Sequence, residues 1–282
     1  MEFRELTQND KQLFASMDTG IDDDYVLHIY DYLVQGENRL FGLFVENKLV
    51  SLGGFSIFAN EYAMLGRLRS DRSIRGKNYA TTLMKQIIEE AFTSLNIQWV
   101  GGNTQEENIP ARRVLKKIGL EEGFKLYNAT TTDISFLQNG ANVWKEVSLL
   151  QEKKKWLEQS YLKEQLIFPY ECYYPFPASE ALFTEEDLQA WSFFENEDQS
   201  KFVILKNDRK GYQYVHVLYP YDNVFSEPGL WETVDYYYAR QLQEQENETR
   251  VWVDLTEEQV AQLVPEHTFE WPSPWILHGK RR

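Results

Sequence analysis

Leu68-Arg69-Ser70-Asp71-Arg72-Ser73-Ile74-Arg75-Gly76-Lys77-Asn78-Tyr79-Ala80 is the stretch on which the reading of this chain turns. It closes an apolar strand pattern over Tyr62–Ser70 and opens the clearest helical pattern in the sequence. Ala80, Leu83, Met84, Ile87, Ile88, Ala91 and Phe92 recur at the three- and four-residue steps of one helical face. Arg75, Gly76 and Lys77 therefore fall at a helix N-terminus, where unpaired amide donors and the positive end of the helix dipole favour a phosphate or pyrophosphate. Small residues at 76 and 80 permit close approach of a ligand and close helix–sheet packing. The competing reading is a solvated basic turn ahead of an ordinary helix.

Outward from this point the elements alternate. A short strand at residues 2–6 precedes polar helix-forming segments up to about Gly36. Leu40–Val45 and Leu49–Phe58 read as strands around the tight turn Glu46-Asn47-Lys48. Gly53 and Gly54 interrupt the second strand, which predicts a bulge or a close backbone approach. Ile97–Val100 reads as a buried strand and Pro110–Ile118 as a helix, with Asn108 as N-cap and Gly119 as stop. A strand near Phe124–Ile134 completes the order. The expected fold class is α/β, a mixed α+β sheet covered by helices.

The second half reads as a charged helical linker over Val143–Leu166, an irregular aromatic connection at Tyr170–Pro177, and a short helix from Thr184. A hairpin around Asn207–Gly211, a helix over 229–245 and a strand at Arg250–Asp254 come next. Thr256-Glu257-Glu258-Gln259 has capping-box spacing, and a last strand falls near Trp275–His278. The expected domains are 1–142 and 143–282. The second repeats the element order of the first without visible identity, which leaves a degenerate duplication open.

The 282 residues include 43% hydrophobic and 15% aromatic side chains, ample for two cores. A formal net charge of −15 argues against nucleic acid and anionic membrane surfaces as partners. Cys172 is the only cysteine, so no internal disulfide can form. With no apolar run at the N-terminus and no span-length apolar segment, a cytoplasmic location is expected.

Arg75-Gly76-Lys77-Asn78-Tyr79-Ala80 resembles the pyrophosphate-binding motif of the GCN5-related N-acetyltransferases (GNAT), Gln/Arg-x-x-Gly-x-Gly/Ala. Asn108-Ile109-Pro110-Ala111, leading into a helix that ends in Gly119-Leu120, is similar to the family's second element. The resemblance covers about residues 1–135. It implies a GNAT acyl-CoA N-acyltransferase fold with a second α+β domain, and an acetyl-CoA cofactor without a metal. Leu68, Arg69 and Ser70 would line the pantetheine arm through their backbone. Residues Arg75, Gly76, Lys77, Asn78, Tyr79 and Ala80 would cradle the pyrophosphate, and Asn108 would contact the arm near the reacting end. An amine would then attack the thioester directly. The implied acceptor is a small-molecule amine or amino acid, and the implied state a monomer or homodimer.

Three positions depart from the pattern. Asn78 replaces the central glycine, a change that asparagine's tolerance of left-handed backbone accommodates. Leu115 stands where many relatives carry a tyrosine general acid, and Asn103 where some carry a glutamate base. Glu106 and Glu107 are nearby, but a charged pair at a helix start is ordinarily a solvated dipole partner. No catalytic residue is assigned, so a non-catalytic acyl-CoA-binding or regulatory module is the alternative, with an acidic surface docking a basic partner as a weaker one. His28, His216, His267 and His278 show no metal-ligand spacing, and Cys172 has no nameable histidine partner. Tyr236-Tyr237-Tyr238, Trp231 and Tyr219 read first as core, and second as the wall of a substrate pocket.

Overall fold

The structure, a computed structural model, describes residues 1–74, 76–244 and 248–282. The chain divides into two compact units, Met1–Gly123 with Leu277–Arg282, and Phe124–Ile276. Sequence reading put the boundary at 142. The strand that starts at Glu121 instead contributes its later residues to the second unit, and the chain's last residues return to the first.

In the first unit β1 (Glu2–Glu5), β2 (Asn38–Val45), β3 (Lys48–Phe58), β4 (Tyr62–Ser70) and β5 (Trp99–Gln105) lie side by side in that order. Three antiparallel pairings are followed by one parallel pairing, β4 with β5. The turn between β2 and β3 places Glu46 (φ 51°) and Asn47 (φ 65°) in the left-handed region, as a tight hairpin requires. Short helices α1 (Lys11–Ala15), α2 (Tyr25–His28) and α3 (Tyr30–Leu33) cover one face of this sheet. They share a core with Leu6, Leu40, Phe44 and Leu52. On the other face α4 (Tyr79–Ser94) and α5 (Ile109–Lys117) enclose Phe41, Leu43, Val50 and Ala63. The alternation of Leu40 and Phe44 against Phe41 and Leu43 is the period-two signature of a strand covered on both sides. Leu83, Met84, Ile87, Ile88 and Ala91 form the buried stripe of α4, as their spacing predicts.

The second unit contains β6 (Glu121–Thr131, from Phe124), β7 (Lys145–Val147), α6 (Leu150–Leu157) and a π-turn over Glu158–Leu162. The hairpin β8 (Ile167–Glu171) and β9 (Tyr174–Pro177) and helix α7 (Glu185–Ala190) come next. They are followed by β10 (Ser192–Glu195), β11 (Phe202–Lys210), β12 (Tyr212–Leu218), α8 (Leu230–Glu244), β13 (Thr249–Leu255) and α9 (Glu257–Val260). Its sheet runs β7-β10-β11-β12-β13-β6, again with antiparallel pairs first and then one parallel pair, β12 with β13. The repeat seen in element order thus extends to strand order and sense. The last strand, β14 (Trp275–Arg281), lies beside β5 in the first unit from Leu277 onward.

Two segments differ from the sequence reading. Lys145–Val147 is a strand and not the start of a helix, because Val147 is buried against Phe193 of β10. Tyr170–Pro177 belongs to a paired hairpin and not to an irregular link. Two of its three prolines, Pro169 and Pro175, face each other in the register, which hides the strand pattern. The aromatic cluster belongs to the core of the second unit except for Tyr236, which is exposed. Trp231, Tyr237, Tyr238 and Tyr219 are buried, and the Tyr238 hydroxyl donates to the Thr249 carbonyl at 2.7 Å. Among the described residues no helix is long and apolar enough to cross a membrane.

Gly54 holds the β2–β3 contact together by lacking a side chain, since a Cβ there would stand 2.0 Å from the Arg39 carbonyl oxygen. Gly66 on β4 has nothing within 4 Å of the same position. Gly54→Ala should therefore lower unfolding free energy by about 3 kcal/mol, the upper end of overpacking costs. Gly66→Ala should stay within about 1 kcal/mol of the parent in urea denaturation. Equal effects would contradict this packing.

Candidate functional site

The site begins with a strand that outruns its neighbour. The ladder between β4 and β5 consists of Tyr62↔Trp99, Ala63↔Val100 and Met64↔Gly101, whereas β4 continues on its β3 side to Ser70↔Ser51. A bulge lies within that extension. Leu52 faces Arg69 and Gly54 faces Gly66, so Arg67 and Leu68 together oppose Gly53. Arg67 sits at φ 59°, a left-handed backbone that costs a non-glycine residue about 1–3 kcal/mol. A bulge bends its strand and sharpens its twist, which turns β4 away from β5. The β5-facing amides and carbonyls of residues 65–70 consequently lie beyond the ladder. Such groups need partners, and an extended ligand carrying amides can supply them in the manner of an added strand.

Past β4 the chain is pinned before it reaches α4. Asp71, 2% exposed, accepts from the Ser73 backbone N–H at 2.9 Å and hydroxyl at 2.6 Å, and from Lys48 at 2.7 Å. The Lys48 ammonium and then the Ser73 hydroxyl hold its carboxyl down to about 2. The Arg72 backbone N–H donates to the Asp18 carbonyl and its guanidinium to the Gly20 carbonyl. Beyond this anchor Gly76 adopts φ +87° and Asn78 φ +59°, ψ +17°. Asn78 thus adopts the left-handed backbone that the family's central glycine would supply, and the loop form survives the substitution. Its side chain makes no capping bond, and no acidic residue stands in the first turn of α4. Gly76, Lys77 and Asn78 are exposed, and Tyr79 and Ala80 are half-buried behind them. Free first-turn N–H groups, the dipole and Lys77 together suit an anion. Arg75, the remaining predicted member, lies outside the described residues.

Arg69 contributes no free charge. Its guanidinium makes two hydrogen bonds to Asp24, at 2.6 and 2.8 Å, and lies over the Tyr25 ring. Burial works to raise the Asp24 carboxyl, but these bonds outweigh it and hold the group below the usual carboxylate range. Asp24 also caps α2 through Val26 N–H. The Ser70 hydroxyl pairs with the Ser51 hydroxyl at 2.9 Å, and Ser51 in turn donates to the Arg69 carbonyl. What Leu68, Arg69 and Ser70 present is therefore backbone, although the Leu68 carbonyl already accepts from the Arg69 guanidinium at 3.0 Å and the Arg69 carbonyl from Ser51. Asn108 caps α5 by accepting from Ala111 N–H, so its amide nitrogen is the part left for a ligand. Leu115 is buried against Gly102 and belongs to the core, Asn103 is half-buried on β5, and Glu107 is exposed. Glu106 is half-buried, and its carbonyl accepts from the Arg112 guanidinium at 2.9 Å. Positions 103 and 115 themselves carry no ionisable side chain. Asp24 with Arg69, and Lys48 with Asp71, have no local signal in sequence, because each pair spans more than one turn of structure and is made by tertiary packing.

The corresponding place in the second unit is built differently. The β12–β13 ladder runs through five pairs, from Gln213↔Thr249 to Val217↔Val253. The start of α8 is covered by the chain itself. Glu232 accepts from the N–H groups of Asn139 and Gly140, while Trp144 donates its backbone N–H to Thr233 and its indole N–H to the Pro228 carbonyl. Glu227, just before this helix, is paired with Lys201. The start of α8 thus meets Glu232 and a packed indole, whereas Gly76, Lys77 and Asn78 ahead of α4 are exposed.

Residues 3–120 match the family model described as "Acetyltransferase (GNAT) family". No curated protein matches the chain. Among solved structures, the chain is similar to an acetyltransferase-type protein of Thermoplasma acidophilum, with 16% identity, TM-score 0.55 and all of both chains covered. It is also similar to a GCN5-related N-acetyltransferase of Sphaerobacter thermophilus, with 14% identity and TM-score 0.52 over 99% of this chain and 95% of that one. An acetyltransferase-type protein of Pyrococcus horikoshii follows at 10% identity and TM-score 0.51, covering 100% and 89%. At these identities the likeness is one of fold, and it extends over both units.

The Asp71 anchor sets an acid limit. A carboxyl depressed to about 2 stabilises the fold fully above its ordinary value, and that contribution is lost as pH falls from about 4 toward 2. Lys48→Met removes the largest cause of the depression, so the variant should lose stability at neutral pH and have less left to lose in acid. Thermal midpoints measured from neutral pH downward should show the variant lower at neutral pH with a shallower decline below about pH 4; parallel pH profiles would contradict the anchor.

Proposed function

We propose, from the membership of residues 3–120 in the acetyltransferase (GNAT) family, that this chain transfers an acetyl group from acetyl-CoA to the primary amine of a small molecule or amino acid. The observation that carries this reading is the pairing of an overrun strand, residues 65–70 of β4, with the open helix start at residues 76–80. The pantetheine arm has amides at strand-like spacing and would satisfy the β4 backbone. The pyrophosphate would sit on the first-turn N–H groups of α4, with Lys77 beside it. The acceptor amine, cationic in solution, is attracted by a chain of net charge −15.

Transfer proceeds by attack of the neutral amine on the thioester carbonyl carbon. The C–N bond forms, the C–S bond breaks, the thiolate leaves and the amine proton passes to water. The chain's own contribution is proximity, worth several kcal/mol when both reactants are held in line. A backbone N–H at the end of β4 adds a hydrogen bond to the developing oxyanion. Leu115 cannot protonate the thiolate, and a thiol of ordinary pKa, about 8.5, leaves without that help. The second reading, a binding module without turnover, is favoured by that same buried Leu115 and by Asn103.

Calorimetric titration of the full chain with acetyl-CoA, followed by an acceptor screen for thiol release, tests the reading. Micromolar binding at one equivalent per chain is expected, since only one cradle is open. Gly76→Glu places a carboxylate in the cradle and a side chain on a φ of +87°, and should weaken binding at least about tenfold, or 1.4 kcal/mol. Absence of binding by the parent chain would end the enzyme reading. Tight binding without thiol release to any amine would favour the module.

A further inference from the structure

The sheet of the second unit has two faces of opposite chemistry. Val203, Leu205, Val215, Val217, Val251 and Val253 point into the core shared with α8. The alternate positions, Lys206 and Asp208 on β11, His216 on β12 and Asp254 on β13, therefore share the other face. This polar face is not open to solvent. Lys206 is 5% exposed and His216 0%, and the β8–β9 hairpin lies over them. At the hairpin's turn Cys172, 0% exposed, donates its backbone N–H to the Asp208 carboxylate at 2.6 Å, and Tyr173 packs edge-on against Trp252.

His216 is fixed from one side only. Its Nε2 meets the Asp254 carboxylate at 2.7 Å, and that carboxylate is itself held by the Asn128 amide at 2.5 Å and the Trp252 indole at 3.1 Å. The other ring nitrogen, Nδ1, is buried and has no hydrogen-bond partner among the described residues. One ligand atom each from Cys172, Asp208 and His216 lies within 4.8 Å of the other two. Lys206, whose ammonium is held by the Tyr170 carbonyl and lies over the Trp191 ring, shares this face with the half-buried Asp208. A divalent cation together with a Cys172 thiolate adds one net positive charge beside Asp208 and Asp254.

We propose that Cys172, Asp208 and His216 hold a zinc-class divalent metal ion beneath the β8–β9 hairpin, with Asp254 orienting the histidine from behind. Sulfur, imidazole and carboxylate donors together suit zinc and its neighbours, and not the oxygen-seeking magnesium or calcium. A histidine ligand whose far nitrogen is bound by a carboxylate is the usual arrangement around such ions. The ion pins the hairpin to the sheet and leaves the cradle of the first unit untouched. Linear spacing could not show the site, because its three donors come from the hairpin turn and two different strands.

The test uses the full chain, tag removed, made metal-free by chelation and titrated with Co²⁺. Because Cys172 is the only cysteine, a thiolate-to-cobalt charge-transfer band reports on it alone. One equivalent should bind with that band, Zn²⁺ should displace it, and Cys172→Ser should abolish it. Asp254→Asn should weaken cobalt binding about 10- to 100-fold while circular dichroism stays unchanged. Should a variant fail to fold, the parent chain still decides, as zinc should slow alkylation of Cys172 in mild denaturant at least tenfold. A folded metal-free chain that gives no charge-transfer band and no protection by zinc overturns the proposal, as does a band that persists in Cys172→Ser.

Discussion

Everything the candidate site offers depends on one departure from regular pairing, the bulge at Arg67 and Leu68 opposite Gly53. A sheet satisfies its backbone by pairing every strand on both sides, and a ligand cannot compete for groups already bonded. Here β4 runs beside β3 to its last residue, interrupted only by the bulge, while its ladder to β5 stops after Met64. The left-handed backbone at Arg67 carries a local cost, which burial of the two flanking cores offsets. Without the bend, β5 would continue the ladder, as β13 does along β12, and no backbone would be left to recognise an acyl carrier.

The two units make the comparison within one chain. Both have the same strand order, the same single parallel pair and a long helix crossing between the paired strands. They differ in the places that matter for an anionic cofactor. One has a bulged strand and a helix start opened by Gly76 and Asn78. The other has a longer parallel ladder and a helix start closed by Trp144 and Glu232. The shared frame therefore does not specify binding; a handful of backbone angles and one packed indole do.

Much of this was legible locally. The stripe of α4, the cap at Asn108, the capping box at Thr256 and the glycine pair at 53 and 54 are patterns within a few residues, and each appears where sequence placed it. The GNAT resemblance of the first unit rested on two such local motifs. What could not be read was made by distance. The pairing of the Arg69 guanidinium with Asp24, forty-five residues away, has no trace in the local pattern. Strands β7 and β8 and the buried face holding His216 depend on neighbours that sequence does not place beside them. The domain boundary differs for the same reason, because β14, at the far end of the sequence, lies beside β5 of the first unit.

The most direct test of the central claim is a crystal structure of the full chain with coenzyme A. The pyrophosphate is expected on the backbone N–H groups of residues 76–80 and the pantetheine amides on the β5-facing backbone of residues 65–70. Coenzyme A bound at the start of α8, or lying outside the opening between β4 and β5, would contradict it.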